Sequence, residues 1–191
     1  MTLLEVVFGL LIFGAGVVVI MHMVTKNIHW IHELSYKNTA TLLAKEWLEV
    51  AFHQRDMMYS RGLPWSCIGT DATGVCDRFL LDEWTSSSLY RLVAHPTVWY
   101  RIEPLQRMED SRLYTISLPD AATWYTHRAS WMPVPDSAYG SSPFSRYITV
   151  RPVDEIADIE EYVLMIESTV MYTVWGNTHQ VVLESLLGDI Y

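Results

Sequence analysis

Glu5 is the first residue in this sequence whose chemistry asks for a partner. It stands at the start of an apolar block in which Val6 to Met21 contains only Val, Phe, Gly, Leu, Ile, Ala and a final Met. A lone carboxylate there costs several kcal/mol to desolvate unless something compensates it. Two arrangements satisfy it: a place at a membrane interface near a helix N-terminus, where the macrodipole favours negative charge, or a pair with the free amino group at residue 1 of a neighbouring copy. Other reactive side chains are sparse. His29 and His32, at i and i+3, have the spacing of a metal pair but lack a carboxylate on that face, and with His22 and His53 they read as solvated or interfacial. Cys67 and Cys76 have no histidine nearby and are too few for a zinc site. Asp154, Glu155, Asp158, Glu160 and Glu161 match no EF-hand spacing and read as a solvated acidic edge. No G-x-S-x-G, no H-E-x-x-H and no glycine-rich phosphate loop occurs. The chain is therefore expected to be neither an enzyme nor the holder of a cofactor or metal.

The elements that position these residues follow from hydropathy. The chain has 191 residues, a formal charge of −9 and a mean hydropathy of +0.13, an excess of apolar character that must be concentrated somewhere. Eight Trp, eleven Tyr and five Phe exclude a disordered chain. From Leu3 through Val24 the apolar block approaches the roughly 20 residues that span a bilayer. It lacks the basic n-region and A-x-A site of a cleaved secretory signal. No Pro occurs before Pro64 and no Gly between Gly16 and Gly62, which predicts one helix from Thr2 to about Arg61, on the order of 90 Å long at 1.5 Å per residue. In its second half Tyr36, Ala40, Leu43, Trp47, Val50, Ala51 and Met58 recur at helical steps as a stripe to be buried on a sheet. Lys37, Lys45, Glu46, Glu49 and Arg55 are expected on the solvated side. Residues 1–27 would protrude, and 28–61 would form the amphipathic half of the same helix. Gly9, Gly14 and Gly16 each cost a helix about 1 kcal/mol relative to Ala. They admit two readings, close approach of neighbouring helices or local unwinding.

Residues 62–191 read as an antiparallel β head, giving an α+β chain. Val98–Glu103, Leu113–Leu118 and Tyr147–Arg151 have strand composition. Tyr162–Trp175 alternates over a longer run, Gly176-Asn177-Thr178 supplies a turn, and Gln180–Leu187 returns. Pro119 to Phe144, with four prolines and five aromatic residues, reads as a long loop that covers the sheet, meets a neighbouring subunit or holds a ligand such as a glycan. The first 61 residues carry five basic and five acidic side chains, so the whole −9 falls on residues 62–191. An acidic head repels a phosphate backbone, and nucleic acid is not an expected partner.

Met1-Thr2-Leu3-Leu4-Glu5-Val6, followed at once by a glycine-containing apolar helix, resembles the mature N-terminus of type IV pilins and type II secretion pseudopilins. The terminal hairpin, closing in Trp-Gly-Asn and returning through Val-Val-Leu-Glu-Ser-Leu-Leu, resembles the last hairpin of many pilin-like proteins. The resemblance implies a pilin-like α+β fold. It implies a short basic leader removed by a prepilin peptidase, N-methylation of Met1, and assembly through Met1, Thr2, Leu3, Leu4 and Glu5, with Glu5 setting the register of each incoming subunit. It also implies a single-pass inner-membrane state before assembly and an extracellular filament, a fimbrium, after it. The partners would be other copies of the chain and the pilus assembly machinery, in the service of functions such as adhesion or motility. In an exported head, Cys67 and Cys76 flanking a glycine-containing loop imply one disulfide. A calcium loop of the kind found in a major pseudopilin would fall at Asp154 and Asp158. A minor pseudopilin and a monomeric membrane-anchored binding module are the alternatives.

Overall fold

The computed structural model of the chain describes residues 3–64, 67–70, 76–79, 88–95, 99–117, 123–127, 139–153 and 163–188. They divide into two units, residues 1–38 and 39–191. One helix, α1 (Leu3–Ser60), supplies all the described structure of the first unit and enters the second. It is unbroken through Gly9, Gly14 and Gly16. Its end is built by hydrogen bonds. The Leu63 N–H donates to the Met58 carbonyl at 3.0 Å and the Gly62 N–H to the Tyr59 carbonyl at 2.9 Å, while Gly62 turns to φ +68°. This pattern satisfies carbonyls that a helix C-terminus leaves without partners, and Gly adopts the left-handed conformation at little cost. Pro64 then follows, which cannot continue a helix.

In the second unit, the helical segment from Thr39 buries Ala40, Leu43, Ala44, Trp47, Ala51 and Met58. The expected stripe is there from Ala40 onward, with Val50 half-buried at its margin, while Tyr36 belongs to the first unit. Glu46 departs from the expectation. It is half-buried and engaged with the sheet rather than solvated, because an apolar-only stripe does not reveal a charged partner coming from another element.

The head holds β1 (Cys67–Thr70) and β2 (Cys76–Phe79) as a two-stranded hairpin. Its antiparallel sheet has seven strands: β3 (Ser88–His95), β4 (Trp99–Pro104), β5 (Arg112–Ser117), β6 (Thr123–His127), β7 (Tyr139–Pro152), β8 (Val163–Val174) and β9 (Asn177–Gly188). The spine is β7. Along one edge it pairs with β8 from Phe144 to Pro152. Along the other it pairs with β5 through Tyr139 to Ser145 and with β3 through Ile148 to Val150. Arg112 pairs with Ser145 and Tyr114 with Ser141, so β7 carries extra residues at this point. Pro143 sits inside this bulge, the place in a strand where a residue without an N–H is tolerated. The Phe144 N–H there donates to the Ser142 hydroxyl at 3.1 Å. Gly140 lies opposite Thr115, whose hydroxyl occupies the space a Cβ at position 140 would need.

Cross-strand register puts Ile148, Val150, Leu164 and Ile166 on one face. They form the core with Trp47, Ala51, Tyr90, Ile102 and Leu187. The stretch expected as a long loop over residues 119–144 contains β6 and the start of β7, a correction with a physical reason. Its prolines signal a loop, yet Pro143 is accommodated by the bulge, and Thr123–His127 is strand-forming and pairs with β5 along its whole length. The acidic run 154–162 lies outside the described residues.

The β8–β9 hairpin matches its expected extent, but its turn is earlier than the Gly176-Asn177-Thr178 expectation. Asn177 and Thr178 already pair with Val174 and Thr173, and the two turn residues are Trp175 (φ +52°) and Gly176 (φ +81°). Two positive φ values define the mirror-image turn whose twist suits a hairpin, and its usual first residue is Asn or Asp. A Trp held there costs on the order of 1 kcal/mol of backbone strain. Trp175→Asn is expected to raise the stability of the full chain in detergent by about 0.5 kcal/mol or more, read as a rise in thermal midpoint. A lowered midpoint would show that the indole holds the hairpin by its contacts.

Candidate assembly interface

Between Leu3 and Leu34, twenty large apolar side chains of α1 are exposed, among them Leu3 (85%), Phe13 (71%) and Ile12 (69%). Burying a Val, Leu, Ile, Phe or Met side chain gains about 1.5–3 kcal/mol. Twenty of them left in water forgo roughly 30 kcal/mol or more, several times the net stability of a typical domain. This surface requires a cover that the chain itself does not supply among the described residues. The helix is long and apolar enough to cross a membrane by length and composition.

Glu5 lies in the first turn of α1, at the positive end of the helix macrodipole, and is solvent-exposed. Met1 and Thr2 lie outside the described residues. Leu3 and Leu4 are exposed in the same turn. Spacings of four and seven residues place Glu5, Gly9 and Gly16 on one helix face, with Gly14 on a different one. At each of the three glycines a Cβ would meet no other atom within 4 Å. The helix surface is open there.

The grip on the helical segment of the second unit comes from residues that sequence reasoning missed. Arg146 points from β7 toward the helix and is 1% exposed. Its Nη1 donates to the Leu43 carbonyl at 3.2 Å and to Glu46 Oε2 at 2.6 Å. Its guanidinium carbon lies 5.3 Å from the centre of the Trp47 ring. The fully buried His127 stands edge-on to Trp47 at 6.5 Å between ring centroids. His127 Nε2 lies 3.2 Å from the Ser111 carbonyl and 3.0 Å from that of Arg146. Both partners are acceptors, so Nε2 carries the proton and donates. A legible signal existed. Arg146 interrupts the inward-facing series Phe144, Ile148, Val150, where a charge is tolerated only if paired.

Cys67 and Cys76 fall in one hairpin, where Cys67 is opposite Phe79 and Cys76 opposite Thr70. Their side chains are outside the described residues. Asp154 and Asp158 are likewise outside them, and among the described residues no cluster of three or more His, Cys, Asp or Glu could hold a metal ion. His29 and His32 are exposed on α1.

Comparison with family models, with curated proteins and with solved structures gives no match.

The Arg146–Glu46 pair is asymmetric, since the Arg146 side chain is 2% exposed and that of Glu46 35%. Removing the carboxylate leaves a buried cation without its counter-charge, whereas removing the cation leaves a carboxylate that water reaches. Glu46→Ala is therefore expected to cost about 3 kcal/mol, Arg146→Met clearly less, and the double variant to recover most of the loss. Denaturant unfolding of the three variants in detergent checks this ordering. An Arg146→Met loss equal to that of Glu46→Ala would show that the guanidinium's other contacts matter more than the ion pair.

Proposed function

We propose that this chain is a structural subunit of a type IV pilus-like bacterial filament, inserted through α1 as a single pass in the inner membrane and then polymerised with that helix in the filament core. The observation that carries the reading is the exposed apolar surface from Leu3 to Leu34 on a helix whose later turns are locked into a folded head. A surface of this energy is satisfied by lipid before assembly and by copies of itself afterwards. The N-terminal resemblance to pilins and pseudopilins supplies the prior, and the α+β arrangement of one long N-terminal helix and an antiparallel sheet is compatible with it. On this reading Glu5 meets the amino group at residue 1 of the neighbouring subunit. The glycine face lets helices approach, and a Cys67–Cys76 disulfide staples the segment after the helix. The chain is not an enzyme. A minor pseudopilin of a secretion system belongs to the same assembly class, and its trace abundance at the cell envelope, against surface filaments built mainly of this chain, separates the two.

The test is Glu5→Val in the native host. Membrane insertion is expected to be unchanged, because the substitution makes the segment more apolar, while sheared filaments are expected to fall to background. Filaments at wild-type yield from this variant would sink the proposed pairing.

A further inference from the structure

We propose that Lys26, with His22 one turn before it, forms a site on α1 that binds the phosphate headgroups of anionic lipids and so fixes the depth of the helix in the membrane before assembly. The proposal rests on the single-pass reading above. Leu3 to Met21 is 19 residues of exposed helix, about 28 Å along its axis, close to the roughly 30 Å hydrocarbon thickness of a bilayer. With that stretch in hydrocarbon, the next residues enter the headgroup layer, which is about 5–8 Å thick on each side. His22 and Lys26, about 6 Å apart along the axis, fall within it.

A spacing of four residues puts these two side chains on one face, and both are exposed. The sequence has no acidic residue between Glu5 and Glu33, so every i±3 and i±4 neighbour of Lys26 is non-acidic and its charge is directed outward. The opposite face of the same turns carries Val24 and Ile31, both exposed. Lys26 is the one Lys or Arg in the first 36 residues, and it falls where an anionic surface attracts it. Anionic headgroups supply the matching chemistry at the matching depth, and a neutral bilayer does not.

The experiment reconstitutes the full chain into vesicles of phosphatidylcholine alone or mixed with phosphatidylglycerol. Co-sedimentation scores insertion. Spin-labelled phosphatidylglycerol and phosphatidylcholine score which lipid is motionally restricted at the protein. The expected result is insertion into both compositions with a severalfold preference for the anionic probe, weakened by salt. The double variant His22→Gln, Lys26→Gln is expected to lose that preference while still inserting, and Lys37→Gln to keep it. A wild-type preference near one, or one retained by the double variant, overturns the headgroup site and leaves the membrane anchor standing. Failure to insert into either composition overturns both.

Discussion

A guanidinium inside an apolar core is the constraint around which the head of this protein is organised. Arg146 is inward-facing on the longest strand, so the sheet cannot close over it without a partner. A helical segment provides one in the form of a backbone carbonyl at Leu43, a carboxylate at Glu46 and an aromatic face at Trp47. Each lies on the helix within one turn of the others. That coincidence sets how far along the sheet the helix sits, because a slide by one turn would leave the cation without its carboxylate. Apolar packing alone does not fix such a position, since Ala and Leu stripes tolerate sliding far better than a buried charge does. His127 extends the same logic to β6 by donating to the carbonyl of Arg146 itself. The strand's backbone and side chain are thereby held by different elements.

The helix that receives this grip carries two surfaces made for two environments. From Ala40 to Met58 its buried positions combine Ala40, Ala44 and Ala51 with the larger Leu43, Trp47 and Met58, and Trp47 and Ala51 enter the core cluster. From Leu3 to Leu34 the residues are large and exposed. Both belong to the one helix α1, which the Gly62 turn ends. The energies differ in kind. The head gains its stability internally, whereas the apolar surface of the first turns is stabilised only by what covers it.

Much of this was readable in the amino-acid sequence, and the misreadings share a cause. The C-terminal end of the helix agrees with expectation to within a residue because no Pro interrupts it, no Gly falls between Gly16 and Gly62, and Gly62 and Pro64 stop it. β8 was legible because its alternation persists over twelve residues. The turn at Trp175 was placed late because a Trp at positive φ carries no turn signature and only the pairing of Asn177 with Val174 reveals it. β6 and the start of β7 were concealed by nearby prolines, one of which occupies a bulge that local composition does not announce. Glu46 was assigned to solvent because helical phase reports what a face is made of and not what another element brings to it. Within the candidate interface the apolar surface and Glu5 were plain, while the Arg146 cluster was not. Pairing between residues 100 positions apart leaves no local pattern.

A uniformly apolar helix adheres to lipid or to its own copies with large energy and little selectivity, because one apolar register resembles the next. Register has to come from the few positions where an error is costly, as a single buried polar residue does in coiled coils. This chain has few such positions. Glu5 marks one end of the apolar run, the open surfaces at Gly9 and Gly16 lie on its face, and His22 with Lys26 marks the other end. On the proposed reading, their spacing along the helix gives an unspecific adhesive surface a defined depth and a defined start. The Arg146 pairing makes the same conversion within the head, where it gives an otherwise slippery packing a single position.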